Sequence, residues 1–228
     1  MTAQRKRGAS ARTRSATAHG LQGRSASART RGDAATGPQA GSAQAGKPGS
    51  GGLVALRVDP AVRGEMPDAM KRRLKRACHR MLRALGLWEV ELSVLLSTDE
   101  RLAQLNHAWR KKRGPTDVLS FPQVTDPEVL QSYRLPLVGR AASGPERPLG
   151  DLVISLHRVK QRSPTPQAME ADLMALLAHG VLHLLGHDHP TAPSRRAMLT
   201  LETDLIAIAR TRGPVKPMAA PPDPVITP

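Results

Sequence analysis

Residues Thr165 to His189 read TPQAMEADLMALLAHGVLHLLGHDH, a long helical pattern that stops at a glycine and is followed by three polar residues. Thr165 and Pro166 form an N-cap and first-turn pair, since a threonine oxygen accepts from an early helical amide and proline lacks only a donor that has no partner there. Met169, Leu173, Leu176, Leu177 and Leu184 recur at helical spacing, and Gly186 is the expected stop, because glycine adopts the left-handed backbone conformation that ends a helix. Four of the chain's eight histidines, His179, His183, His187 and His189, lie in the last eleven residues of this stretch.

His179 and His183 are four positions apart, about 40° in helical angle and one turn along the axis, so both imidazoles can reach one ion. That is the two-ligand half of a zinc site. On a continued helix His189 falls about 240° around the axis from His183, facing away, and a left-handed Gly186 swings it back. The spacing of His179, His183, Gly186 and His189 equals that of the metzincin signature HExxHxxGxxH. Three imidazoles leave a fourth coordination position open, the layout of a catalytic rather than a closed structural site. His187 competes with His189 as third ligand; on a continued helix it lies about 12 Å along the axis from His179, too spread for three rings to converge comfortably on one ion, which favours His189. Where metallopeptidases place their general-base glutamate, this chain has Gly180. Either another group such as Asp188 moves the proton, or the substrate needs less help from a base than an amide does.

Outward from this helix the periodicity switches repeatedly. Leu53–Val58 reads as a short strand, and about Pro67–Leu85 as a helix with Met70, Leu74, Ala77, Cys78, Met81, Leu82 and Leu85 inward and Gly86 as its stop. The other face, Lys71, Arg72, Arg73, Lys75, Arg76, Arg80 and Arg83, reads as solvated, with phosphate contact the alternative. Val90, Leu92, Val94 and Leu96 alternate as in a half-buried strand. Thr98 and Asp99 open a helix through Leu102, Leu105 and Trp109 that breaks in the basic loop Arg110–Pro115. Asp117–Phe121 and Asp151–Leu156 are two more strands, the second apolar on both faces and therefore central. Pro122–Pro148 reads as a long polar loop, and Ser194 as the cap of a last helix with Met198, Leu201, Leu205 and Ile208 inward. The order predicts an α+β fold: a small mixed four-stranded sheet packed with about four helices, one of them a metalloprotease-like metal-binding helix.

The chain has 228 residues, room for one domain and tails. Residues 1–52 hold nine Lys and Arg, one acid (Asp33) and a single large aliphatic, Leu21, a composition that cannot offset the entropy of folding. They are expected to form a disordered basic tail: a passive one, a nucleic-acid arm or a targeting segment. Residues 53–210 are the expected domain, and 211–228 a disordered Pro-rich tail. Aromatics are only 2% of the chain, so the core is expected to be Leu, Val, Ala and Met, and base-stacking platforms are scarce. The net charge of +15 favours an acidic partner such as nucleic acid or an anionic surface. One cysteine, Cys78, excludes an internal disulfide or a cysteine-based zinc knuckle. No apolar run is long enough for a membrane span or has the form of a secretory signal, so a cytoplasmic protein is expected.

Three segments carry a resemblance to a known family. HGVLHLLGHDH at 179–189 resembles the HGxLHLxGYDH signature of the YbeY endoribonucleases, the ribosomal RNA maturation factors. LNHAWRKKRGPTDVLSFP at 105–122 and LGDLVIS at 149–155 resemble two further stretches of that family, in the same order, and the likeness spans about residues 53–210. The resemblance implies a single-strand-specific, metal-dependent endoribonuclease acting on single-stranded ribosomal RNA of the small ribosomal subunit, in 16S 3′-end maturation and ribosome quality control. It implies one zinc ion (Zn2+) on His179, His183 and His189, and it matches the family's functional arginine to Arg110, whose alternative reading is a surface loop cation. His187 stands where the family often has tyrosine, and residues 190–196 are basic where it is often acidic. A metallopeptidase or other metallohydrolase, and a non-catalytic metal-stabilised ribosome-assembly factor, are the alternative readings.

Overall fold

The computed structural model describes residues 53–87, 89–134 and 147–218. The expected tail at 1–52 lies outside the described residues. Four strands, β1 (Val54–Val58), β2 (Glu91–Ser97), β3 (Val118–Pro122) and β4 (Pro148–Ser155), form one sheet in the order β1-β2-β4-β3. β1 pairs parallel with β2 and β2 with β4, while β3 pairs antiparallel with β4, so the sheet is mixed, as expected. β4 is paired along both edges and buried on both faces, so that its successive residues Leu152, Val153 and Ile154 are apolar without alternation.

The four long helices fall where the periodicity places them: α1 (Asp68–Ala84), α2 (Asp99–Arg110), and, after the short α3 (Pro127–Ser132) and α4 (Leu156–Arg162), α5 (Pro166–Leu184) and α6 (Ala192–Arg210). Thr98 and Thr165 cap α2 and α5 through their side-chain oxygens. α6 is capped one turn earlier than expected: Thr191 is its N-cap and Ser194 completes a reciprocal capping box from the third position. α3 overturns the reading of Pro122–Pro148 as loop throughout. Asp126 accepts from the Glu128 amide and Pro127 follows, the same cap-and-proline signal as at α5 but over six residues too polar to show a stripe. Residues 135–146 lie outside the described residues. α4 begins where the last strand was expected to end, because the Ser155 hydroxyl accepts from the Arg158 amide and turns the chain.

The core is aliphatic and methionine-rich, as the composition implies, with Tyr133 the one aromatic among its described residues. Cys78 is buried and free on the inner face of α1, and burial pushes its thiol up to about 12. The outer face of α1 is not uniformly solvated. Arg73 forks onto the Glu170 carboxylate of α5, Nε donating to Oε1 at 2.7 Å and Nη2 lying 2.7 Å from Oε2, and Arg80 donates to the carbonyls of Ile208 and Gly213 at 3.0 and 2.7 Å. Arg80 therefore satisfies carbonyls at the end of α6 and draws the following residues onto α1. Met218 donates its amide to Ala84 O at 2.7 Å, and Val215 and Met218 pack on the core. The stretch 211–218, placed by composition in the Pro-rich tail, lies along the body of the molecule. Among the described residues no helix is long and apolar enough to cross a membrane.

Candidate metal centre

α5 is built to present its last two turns to one pocket. Gly180 sits against the sheet, where a Cβ would stand 2.8 Å from Leu152 Cδ2 and 3.1 Å from Cδ1, and its carbonyl accepts from the Ser120 hydroxyl of β3 at 3.3 Å. The absence of a side chain lets the helix settle onto β4 and β3, with His179 and His183 beside the contact. The helix then ends in a Schellman motif: Gly186 at φ 82° donates to His183 O, and His187 donates to Leu182 O, both at 3.0 Å. The expected left-handed turn is therefore present, and it redirects Asp188 and His189 toward the same pocket.

His179, His183 and His189 come together there, each offering a ring nitrogen within 4.8 Å of the others. Ring centroids are 4.5 Å apart for His179 and His183, 5.4 Å for His179 and His189, and 5.3 Å for His183 and His189. His187 is not among them. It is buried, its Nε2 has no hydrogen-bond partner among the described residues, and burial, with the charge of Arg134, lowers its pKa. The turn at Gly186 brings the residue three after it, His189, beside His179 and His183 and sends the next residue, His187, into the interior.

Glu202 of α6, missed by sequence reasoning, completes the arrangement. Its Oε1 lies 2.7 Å from His179 Nδ1. A carboxylate only accepts, so His179 donates from Nδ1 and keeps the lone pair on Nε2, which faces His183 Nε2 at 3.0 Å. The available signal is an acid on the inward stripe of α6, four residues after Met198 and three before Leu205. Burial, and then the neighbouring His179 and His189, push the His183 pKa down to about 4, against the opposing charge of Asp188 and a hydrogen bond to the backbone of His187. At neutral pH His183 is therefore an uncharged nitrogen donor. Two facing nitrogens, a third nearby and a carboxylate orienting one ring are a donor set that fits a borderline dication such as zinc.

The pocket, about 750 Å³, is lined by these three histidines together with Asp188, Glu202, Trp109, Arg110 and Asp117. Arg110 is the last residue of α2, exposed, and forms no ion pair among the described residues. The helix end that carries it is held firmly: Lys111 takes a left-handed conformation at φ 55°, and buried Asn106 donates to Gly114 O at 2.9 Å across the basic loop. Asp188 accepts the His189 amide at 2.8 Å, which fixes the turn. Asp117 serves another purpose. Burial raises its pKa, but hydrogen bonds from Arg158 and Arg162 outweigh that and hold it below the usual carboxylate range, so it is an ionised anchor joining β3 to α4.

Comparison with known proteins gives one consistent answer. The family model described as Endoribonuclease YbeY matches residues 62–209. An endoribonuclease YbeY of Anaeromyxobacter dehalogenans is 40% identical over 152 residues, covering 65% of this chain and 69% of the relative. One of Thermobifida fusca is 35% identical over 154 residues, 67% of this chain and 93% of the relative. One of Myxococcus xanthus is 42% identical over 123 residues, 54% of this chain but only 37% of that longer relative. The matched region contains every residue of the pocket and leaves residues 1–52 outside.

Proposed function

The chain belongs to the Endoribonuclease YbeY family, and from that premise we propose that it is a zinc-dependent, single-strand-specific endoribonuclease of the cytoplasm that acts on 16S ribosomal RNA in 3′-end maturation and ribosome quality control. His179, His183 and His189 hold the metal, Arg110 holds the scissile phosphate and Asp188 moves a proton. The observation that supports this best is the convergence of three imidazoles on one pocket that also contains an arginine with no ion pair among the described residues.

A zinc ion, when bound, supplies Lewis acidity and positive charge at the reacting phosphate. The remaining work falls to the protein. Glu202 fixes the tautomer of His179 and the direction of its ring. Arg110 pairs two guanidinium N–H groups with non-bridging phosphate oxygens and offsets the charge that gathers on them as the bond breaks. One Asp188 oxygen is committed to the His189 amide, which leaves the other for a proton. RNA also carries its own nucleophile in the 2′-hydroxyl, so the missing glutamate at position 180 matters less than it does for an amide. A peptidase reading is supported less by the same residue, since Gly180 supplies no general base and a Cβ there would stand 2.8 Å from Leu152 Cδ2.

The test is purified protein incubated with zinc and either single-stranded ribosomal RNA or casein, with metal content measured directly. RNA cleavage lost on chelation and in His183→Ala, with casein intact, is the expected result. A 2′,3′-cyclic phosphate on the product assigns the nucleophile to the 2′-hydroxyl. Casein hydrolysis, or RNA cleavage indifferent to chelator, overturns the proposal.

A further inference from the structure

The chain has four Trp, Tyr and Phe residues, and two of them, Trp109 and Phe121, meet at the metal pocket. Trp109 is 71% exposed, the most exposed large apolar side chain among the described residues. Its ring lies 5.9 Å from that of Phe121 at an interplanar angle of 71°. An edge-to-face contact of this kind covers at most one face of the indole. Single exposed apolar residues are common on protein surfaces, but three features separate this one. It lines the same pocket as the three histidines, it immediately precedes Arg110, and its helix end is fixed by the left-handed Lys111 and the Asn106 bond to Gly114. The backbone that carries the indole is thus fixed, and its ring, with Phe121 as edge-to-face neighbour, keeps a face open to solvent.

We propose that Trp109, supported by Phe121, is the platform on which one unpaired base beside the scissile phosphate stacks. This rests on the RNA reading above and deepens it. Stacking on an indole requires a base free of its neighbours, so the platform selects single strands without reading sequence. Arg110, one residue on, takes the phosphate, so adjacent side chains engage the two recognisable parts of a nucleotide.

The experiment measures binding separately from cutting. A short fluorescein-labelled single-stranded RNA of 16S 3′-end sequence is titrated with the full-length protein by anisotropy, and again with each position in turn made abasic. The parent is expected to lose affinity at one position flanking the cut. Trp109→Ala should bind the intact strand roughly 5- to 150-fold more weakly, the range for one stacked base. It should show no further loss at that abasic position and prefer single strand over duplex less than the parent does. Trp109→Phe should retain most of the affinity, and metal content and melting temperature should not change in either variant. Trp109→Ala binding within twofold of the parent, or a parent indifferent to every abasic position, overturns the platform. If the parent shows the abasic effect, lost in Trp109→Ala, but cuts no RNA, base stacking on Trp109 stands without its place beside a scissile phosphate, and the endoribonuclease reading fails. If the parent cuts RNA and Trp109→Ala binds equally well, only the stacking fails.

Discussion

Gly180 occupies the place a metallopeptidase gives to its general base, and its surroundings make the difference physical. A single methyl there meets Leu152, itself fully buried, at 2.8 Å, so Gly180→Ala must displace a core leucine or lift α5 from the sheet. Overpacking of this kind costs about 1–3 kcal/mol. Urea denaturation of the metal-free protein should register that loss, and Leu152→Ala in the same chain should recover part of it; additive losses in the double variant would place the strain elsewhere. Arg110 is the opposite case, an exposed side chain with little packing to lose. Arg110→Glu should nearly abolish RNA cleavage while melting temperature and metal content stay near those of the parent. Arg110→Lys should be a partial defect, because lysine keeps the charge without the planar two-donor fork. Undiminished turnover of Arg110→Glu at saturating RNA would return the arginine to the general basic surface.

At the scale of elements, the end of α5 is where local sequence sets the site. Gly186 stands at φ 82°, in the region β-branched residues resist, and its turn is what carries His189 to the pocket. Gly186→Val is expected to lower bound zinc per chain well below one, although no ligand is touched, while far-ultraviolet circular dichroism keeps the helical signal of α5; zinc retained at parental stoichiometry and affinity would show that the turn forms without glycine. This part is legible in the amino-acid sequence, because caps, stops and the four-residue histidine spacing are all written within one helix. The same holds for the long helices and for central β4, whose patterns run over many residues. α3 and α4 are not legible there, being too short to display a period. Glu202 is not either, since its partner His179 is 23 residues away on another helix and nothing local pairs them. The meeting of Trp109 with Phe121 likewise depends on how α2 lies beside β3, a matter of packing that spacing does not encode. Arg80 shows the converse error: its position on α1 marks it as solvent-facing, yet a long side chain reaches the carbonyls closing α6.

Over the whole molecule the charge is unevenly shared. Residues 1–52 hold nine basic residues and one acid, +8 of the total +15, whereas the core is assembled from Val54 to Leu205 and the family match begins at residue 62. The described fold and the histidine triad thus belong to one part of the chain and more than half of the net charge to another, so the two can be separated by truncation. Removing residues 1–52 should leave melting temperature and zinc content unchanged. If the basic residues meet phosphates, each contact displaces counterions, and the logarithm of the RNA binding constant falls with the logarithm of salt by about 0.7 per phosphate on a single strand. The truncated protein should therefore bind RNA more weakly at low salt and with a shallower slope, the two curves converging as salt rises, while the rate at saturating RNA stays that of the full chain. Parallel curves of equal affinity would mean that the leading segment makes no contact with RNA, and that the pocket and its surrounding basic surface account for all of the binding.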